Sequence, residues 1–226
     1  MAKKAVTPEA SDEDPDFPKN LKHYTTLDSL ISILSKTELH LGYSDKWEDK
    51  NDIASLQGYT RHLQKKDPSL EPNSVQVKIL CFAYGVETIH HWKTFAKGSV
   101  GCRIDFKNGL LEKKLESIPD IIYKKVEYVS RTYDLSQYTK KDYPFLKRIP
   151  YECENEFRIV WAGKGEAPVI PIKGLISRIT ISPHVDDRAV APIRKLLKDN
   201  YGIEEVYKSR ILDYDKWTKL FQGDKH

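Results

Sequence analysis

Apolar positions in this chain recur at two spacings, every second residue and every third to fourth, and the alternation becomes regular from Leu21 onward. Leu21-Lys22-His23-Tyr24 reads as a short strand, after which Leu27, Leu30, Ile31 and Leu34 repeat at helical spacing. Thr25 or Thr26 caps that helix, and Asp28 lies in its first turn, where a negative charge suits the helix dipole. A second strand is predicted over 38–43, then a polar loop over 44–52 and a helix over about 53–65, before Pro68 and Pro72. Residues 77–83 form an almost unbroken apolar run, the pattern of a strand buried on both faces.

Further on, 87–97 reads as a helix and 100–106 as a strand with Val100, Cys102, Ile104 and Phe106 on one face. A helix over 108–117, a strand over 121–129 and a Tyr- and Lys-rich helical stretch near 136–147 follow. The last third predicts strands over 155–162, 167–172 and 177–182, an amphipathic helix over 186–201 and a short strand near 205–208. Helices and strands are interspersed without a regular βαβ repeat. The expected fold is therefore α+β, one domain over 19–226 with a central mixed, mostly antiparallel sheet flanked by helices. Residues 1–18, rich in Pro, Asp, Glu, Ala and Lys, are expected to form a disordered acidic tail.

Composition narrows the functional classes. Basic residues number 37 against 33 acidic, a net charge of +4, too small an excess to imply nucleic-acid binding by itself. Cys81, Cys102 and Cys153 cannot close a disulfide framework and lie in apolar or strand-like segments, where free Cys behaves as a small hydrophobe. The first residues hold no apolar run and no later stretch is long enough to cross a bilayer, so a cytoplasmic protein without a membrane partner is expected.

The most informative stretch is Tyr151-Glu152-Cys153-Glu154-Asn155-Glu156-Phe157-Arg158-Ile159-Val160-Trp161. On a strand, Phe157, Ile159 and Trp161 point into the core, and Glu154, Glu156 and Arg158 share the other face. Neighbouring carboxylates raise one another's proton affinity and an Arg opposes the shift. Such a cluster can serve acid–base chemistry or hold a ribose hydroxyl and a phosphate. It can equally be a charge ladder on a solvated sheet face. Earlier, His23-Tyr24-Thr25 runs into a helix start, where His and Tyr can hydrogen-bond or stack on a nucleoside; a half-buried His and a core Tyr are the alternative.

Three other stretches carry less. The loop from Asp45 to Asp52 offers carboxylates suited to a hard cation but lacks calcium-loop spacing, and no metal is expected. His90-His91-Trp92 has no zinc motif around it, and Trp92 with Phe95 is expected to anchor a helix on the sheet. The stretch 138–148 (YTKKDYPFLKR) could touch a nucleic-acid backbone or be a solvated helix with aromatic anchors.

In order and spacing these segments resemble the bacterial domain of unknown function 2971 family. The likeness rests on Lys22-His23-Tyr24 with the helix behind it, Tyr43-Ser44 and Trp47-Glu48-Asp49, Cys81-Phe82-Ala83, and Trp92 with Phe95-Ala96. It continues through Gly101-Cys102-Arg103-Ile104-Asp105-Phe106, the Glu154/Glu156/Arg158 motif and Ile179-Thr180-Ile181-Ser182-Pro183. Where that family's loop carries Asn and Pro, this chain has Glu48 and Lys50. An early His-Tyr strand and a late Glu-bearing strand are also similar to the layout of ADP-ribosyltransferase-like toxins and defence proteins. That more distant resemblance implies NAD as substrate, with a protein or nucleic-acid acceptor. By position, His23 would bind NAD and act in catalysis, Tyr24 would position the nicotinamide, and Thr25 and Trp92 would be further NAD-binding residues. Glu156 would be the catalytic carboxylate, Glu154 its partner toward the acceptor, and Arg158 an anion clamp. Two other expectations stand beside it: a non-enzymatic sensor or binding module on the same fold, and a metal-dependent nuclease. The nuclease needs carboxylates of the 45–52 loop to converge with Glu154 or Glu156.

Overall fold

A computed structural model describes residues 17–43, 50–66, 75–96, 101–107, 109–130, 135–213, 218, 219 and 221. The fold is α+β, built on one large, mostly antiparallel sheet. Its strands are β1 (Lys22–Thr26), β3 (Gly42–Tyr43), β4 (Gln76–Ala83), β5 (Gly101–Phe106), β6 (Ile121–Lys125), β9 (Glu156–Gly163), β11 (Ile176–Ile181) and β12 (Val206–Lys208). They run in the order β12-β11-β5-β1-β4-β9-β6, with β3 added beside β4, and the β11–β12 pair is parallel. Two small sheets flank it: β2 (Glu38–His40) with β10 (Val169–Pro171), and β7 (Glu127–Val129) with β8 (Leu146–Arg148).

The helices are α1 (Leu27–Lys36), α2 (Lys50–Lys66), α3 (Ile89–Thr94), α4 (Leu110–Glu116) and α5 (Asp187–Tyr201). In α1, Leu30 and Leu34 are buried four apart on one face, Asp28 sits in the first turn and Lys36 in the last. Asp186 starts α5 by accepting the Arg188 N–H, and Gly202, at φ 66°, closes it in the left-handed conformation. None of the described helices is long and apolar enough to cross a membrane.

Strand alternation sorts the sheet into two buried faces. On one, Leu80, Phe82, Cys102, Ile104, Phe106, Phe157, Ile159, Trp161, Ile179 and Ile181 pack against Leu30 and Leu34 of α1, Leu111 and Leu115 of α4, and Leu197 of α5. On the other, Val77, Ile79 and Val160 pack under Leu56 and Tyr59 of α2, while Tyr24 and Ala83 lie under Trp92 of α3. The run 77–83 is indeed buried on both faces, because β4 sits in mid-sheet with β9 along one side and β1 and β3 sharing the other.

Several predicted elements come out differently. The strand over 121–129 breaks at Val126 into β6 and β7, which join different sheets. The helical stretch near 136–147 is instead two short 3-10 turns, Leu135–Gln137 and Tyr143–Phe145, leading into β8; Pro144 cannot donate a helical hydrogen bond. Ordered packing begins inside the predicted tail, where the Phe17 ring meets Tyr123 and Phe157 edge-on, at centroid distances of 6.0 and 5.1 Å. The remainder of the tail, 1–16, and residues 44–49 of the predicted loop lie outside the described residues.

The sheet is nearly parted down its middle. β1 pairs with all of β5 but meets β4 at one pair, Lys22 with Ala83, and further along β4 its partner is β3. Between those points the Cys81 carbonyl accepts from the Nδ1–H of His23 at 2.9 Å, a side chain taking the place of a strand partner.

α1 ends on Thr37 at φ 56°, a left-handed conformation that costs a β-branched residue about 1–2 kcal/mol. Thr37→Gly is expected to raise stability by about 1 kcal/mol and the melting temperature by roughly 2–4 °C in a calorimetric scan.

Candidate functional site

The Glu-x-Glu-x-Arg motif lies at the start of β9 and in the 3-10 turn Ile149–Glu154 just before it. Asn155, at φ 43°, turns the chain between them. Asn tolerates that left-handed conformation better than most residues. Glu156 and Arg158 point to the face covered by α2 and α3, as the alternation predicts, and Phe157, Ile159 and Trp161 point to the opposite core. That second face is not solvated. Arg158 is 0% exposed and Glu156 5%, so the expectation of a solvated charge ladder does not hold. The helices that help shut the face, α2 and α3, come from residues far away in sequence.

Around Arg158 the polar groups close on one another. Its Nε donates to Glu156 Oε1 at 2.8 Å, and its Nη2 to Glu156 Oε2 at 2.9 Å and to Asp52 Oδ2 at 3.0 Å. Its Nη1 donates to the Pro144 carbonyl at 2.8 Å. The Lys147 ammonium, carried in by β8, bonds Glu154 Oε2 and stands 3.2 Å from Glu156 Oε2 and 3.3 Å from Asp52 Oδ2, with the Tyr151 ring 5.0 Å away. The Tyr128 hydroxyl accepts the Glu156 N–H at 2.9 Å. Burial drives Glu156 toward its neutral form, but the Arg158 guanidinium and then Lys147 outweigh it and hold its carboxyl at about 2. Lys147 is held above its ordinary value by Glu156, Asp52 and Glu154 against the same burial. Glu154 goes the other way: burial raises it more than Lys147 lowers it. The Cys81 thiol on this face is pushed well above its usual value by burial and then by Glu156, which leaves it a poor nucleophile.

A second charged group lies on the same face, across β1. Arg103 bonds Asp105 through Nε and Nη2 at 3.2 and 3.0 Å, Thr180 at 3.1 Å and Glu87 at 3.1 Å. Glu87 also accepts from Trp92 Nε1 and from the Ser209 hydroxyl. Helix α3 joins the two groups. His91 accepts the Thr88 N–H through Nδ1 and donates from Nε2 to the Glu154 carbonyl at 2.9 Å, and its ring stacks on Tyr24 at 5.1 Å. His90 Nε2 stands 3.5 Å from Glu154 Oε1.

The other sequence-predicted residues do not gather at one cleft. His23 leaves the opposite side of the sheet from Glu156, pairs in register with Ile104 and packs 5.7 Å from the Phe82 ring. Burial holds its imidazole below the ordinary value, and the Cys81 carbonyl only partly opposes this. Thr25 shares that side, in register with Cys102. Tyr24 and Trp92 do lie on the Glu156 side but are core groups: the Trp92 ring is 0% exposed and meets Tyr24 edge-on at 5.1 Å. These positions do not fit a dinucleotide between His23 and Glu156. Among the described residues no group of three or more His, Cys, Asp or Glu side chains could hold a metal ion. Asp52 does converge with Glu154 and Glu156, yet the Lys147 ammonium stands where a cation would.

Lys147 and Asp52 appeared in the sequence only as members of a basic stretch and an acidic loop, and nothing local marks them as partners. Arg103 carried the same signal as Arg158, a charged residue two positions from an acid on the polar side of an otherwise apolar strand. That signal could have found it.

Removing one partner from this cluster leaves a buried charge unanswered. Glu156→Gln is expected to cost roughly 3–5 kcal/mol in urea denaturation. The acid dependence follows from the directions above. His23 and His91 have folded values below their unfolded ones, so their contribution is complete above about pH 6.5 and is lost as pH falls. Glu156 contributes fully above about pH 4.5 and loses roughly 3 kcal/mol on the way to pH 2. Glu154, with its raised value, opposes that loss. Stability measured by urea titration from pH 7 to 3 is therefore expected to fall in two stages, with the second stage diminished in Glu156→Gln.

Compared with known proteins, the chain matches no family model and no curated protein.

Proposed function

We propose that this domain is a non-enzymatic sensor or binding module in which the Glu-x-Glu-x-Arg stretch serves the fold. The observation that carries this reading is that both carboxylate oxygens of Glu156 are engaged by Arg158, at 2.8 and 2.9 Å, inside an enclosed ion cluster. A carboxylate that assists cleavage of a glycosidic bond to nicotinamide must meet positive charge building on the ribose. Glu156 already faces two fixed cations, Arg158 and Lys147, which cancel the field it would supply. His23 points away from it across the sheet. The nuclease reading retains the convergence of Asp52 with Glu154 and Glu156, countered by Lys147 at its focus.

Incubation of the purified chain with NAD, with protein and nucleic-acid acceptors supplied, is expected to release no nicotinamide, and calorimetry to show no NAD binding. Nicotinamide release by the wild-type chain that Glu156→Gln abolishes, in a variant still folded by circular dichroism, would overturn the module reading.

A further inference from the structure

On the side of the sheet away from the ion cluster lies a cavity of about 270 Å³. Its walls include Leu27 and Leu30 from the first turn of α1, Cys102 of β5, Ile181 of β11, and Ala189 and Ile193 of α5. The space arises from the way the two helices are held. Near their C-terminal ends the Ser35 hydroxyl and the Tyr201 hydroxyl are 3.1 Å apart, tying α1 to α5. Toward their N-termini, Leu27 and the small Ala189 both border the cavity, and among the described residues no large side chain fills it.

The walls specify the chemistry of an occupant. They are apolar almost throughout, so a polar ligand would lose its hydration there and gain no hydrogen bond in return. Asp186 lines the rim and Asp28 stands in the first turn of α1, which disfavours an anion. Cys102 offers no thiolate: burial, then Asp28, pushes its thiol up to about 12, and it donates to the Thr26 carbonyl. An apolar cavity of about 150 Å³ admits benzene, so the larger volume here suits a bicyclic ring. Left empty, walls of this kind forfeit dispersion contacts that an apolar occupant restores.

We infer that this cavity is a binding site for a small neutral apolar molecule, an aromatic or branched aliphatic compound of about ten non-hydrogen atoms. The inference rests on the binding-module reading for its biological sense, and the two fail separately. Nicotinamide release from NAD would remove the module reading and leave the cavity's occupancy standing. Absence of binding in the assay below would remove the cavity site and leave the NAD result standing.

Indole is the probe. Titrated into the full chain, it is expected to bind saturably by ligand-observed NMR and to raise the melting temperature. Ala189→Phe, whose ring would occupy the cavity, is expected to weaken binding at least tenfold. A second measurement uses the wild-type chain alone. Indole protons should show intermolecular NOEs to the methyl groups of Ala189 and Ile193 on the cavity wall and none to those of Leu56 and Ile79 on the opposite face. No saturable binding, equal binding by a folded Ala189→Phe, or missing NOEs to the cavity wall would each overturn the inference. Should Ala189→Phe fail to fold, those NOEs decide.

Discussion

A guanidinium with no exposed surface stands at the centre of this structure, and much of the surrounding chain is arranged to answer its charge. Arg158 is bonded by Glu156 from its own strand, by Asp52 from the first turn of α2 and by the Pro144 carbonyl from a 3-10 turn. Glu156 is in turn shared with Lys147 of β8, which also takes up Glu154. Five elements are thereby brought to one point: four follow one another along 143–163, and α2 joins them through Asp52, 106 residues from Arg158. A hydrophobic contact tolerates some sliding, whereas a buried bidentate ion pair does not. The cluster therefore fixes how α2, β8 and the turns sit on the sheet. Its net stabilisation is modest, since desolvation offsets most of the Coulombic gain.

The same requirement explains why the sheet has two unlike interiors. The face toward α1, α4 and α5 is filled by aliphatic and aromatic side chains. The face toward α2 and α3 alternates apolar contacts with two charged groups, one around Arg158 and one around Arg103. His91 links them, stacking on Tyr24 and donating to the Glu154 carbonyl, while its Nδ1 completes the cap of α3. Polar groups enclosed this way hold one another in single orientations. That rigidity suits a scaffold better than it suits a carboxylate that must meet a substrate. The cavity between α1 and α5 lies on the opposite, apolar side, away from the charged groups around Arg158 and Arg103.

The fold class, the positions of most strands and the amphipathic helices α1 and α5 were legible in the sequence, because hydrophobic spacing is set by the geometry of the element that carries it. So was the division of the 156–161 segment into an apolar and a charged side. Periodicity does not say what covers the charged side, since a solvated face and a face closed by distant ion partners carry the same alternation. Asp52, 106 residues from Arg158, and Lys147, in a stretch that read as a helix, complete the cluster. Their convergence depends on α2 and β8 docking over the sheet. The sequence by itself determined that Glu156 and Arg158 would share one side of a strand and that His23 would sit on an early strand. Only the tertiary structure decided that the first two would be sealed into an ion cluster and that His23 would face the other way. The reason is physical: strand order and register place side chains on faces, and neither is encoded in the local spacing of any one strand.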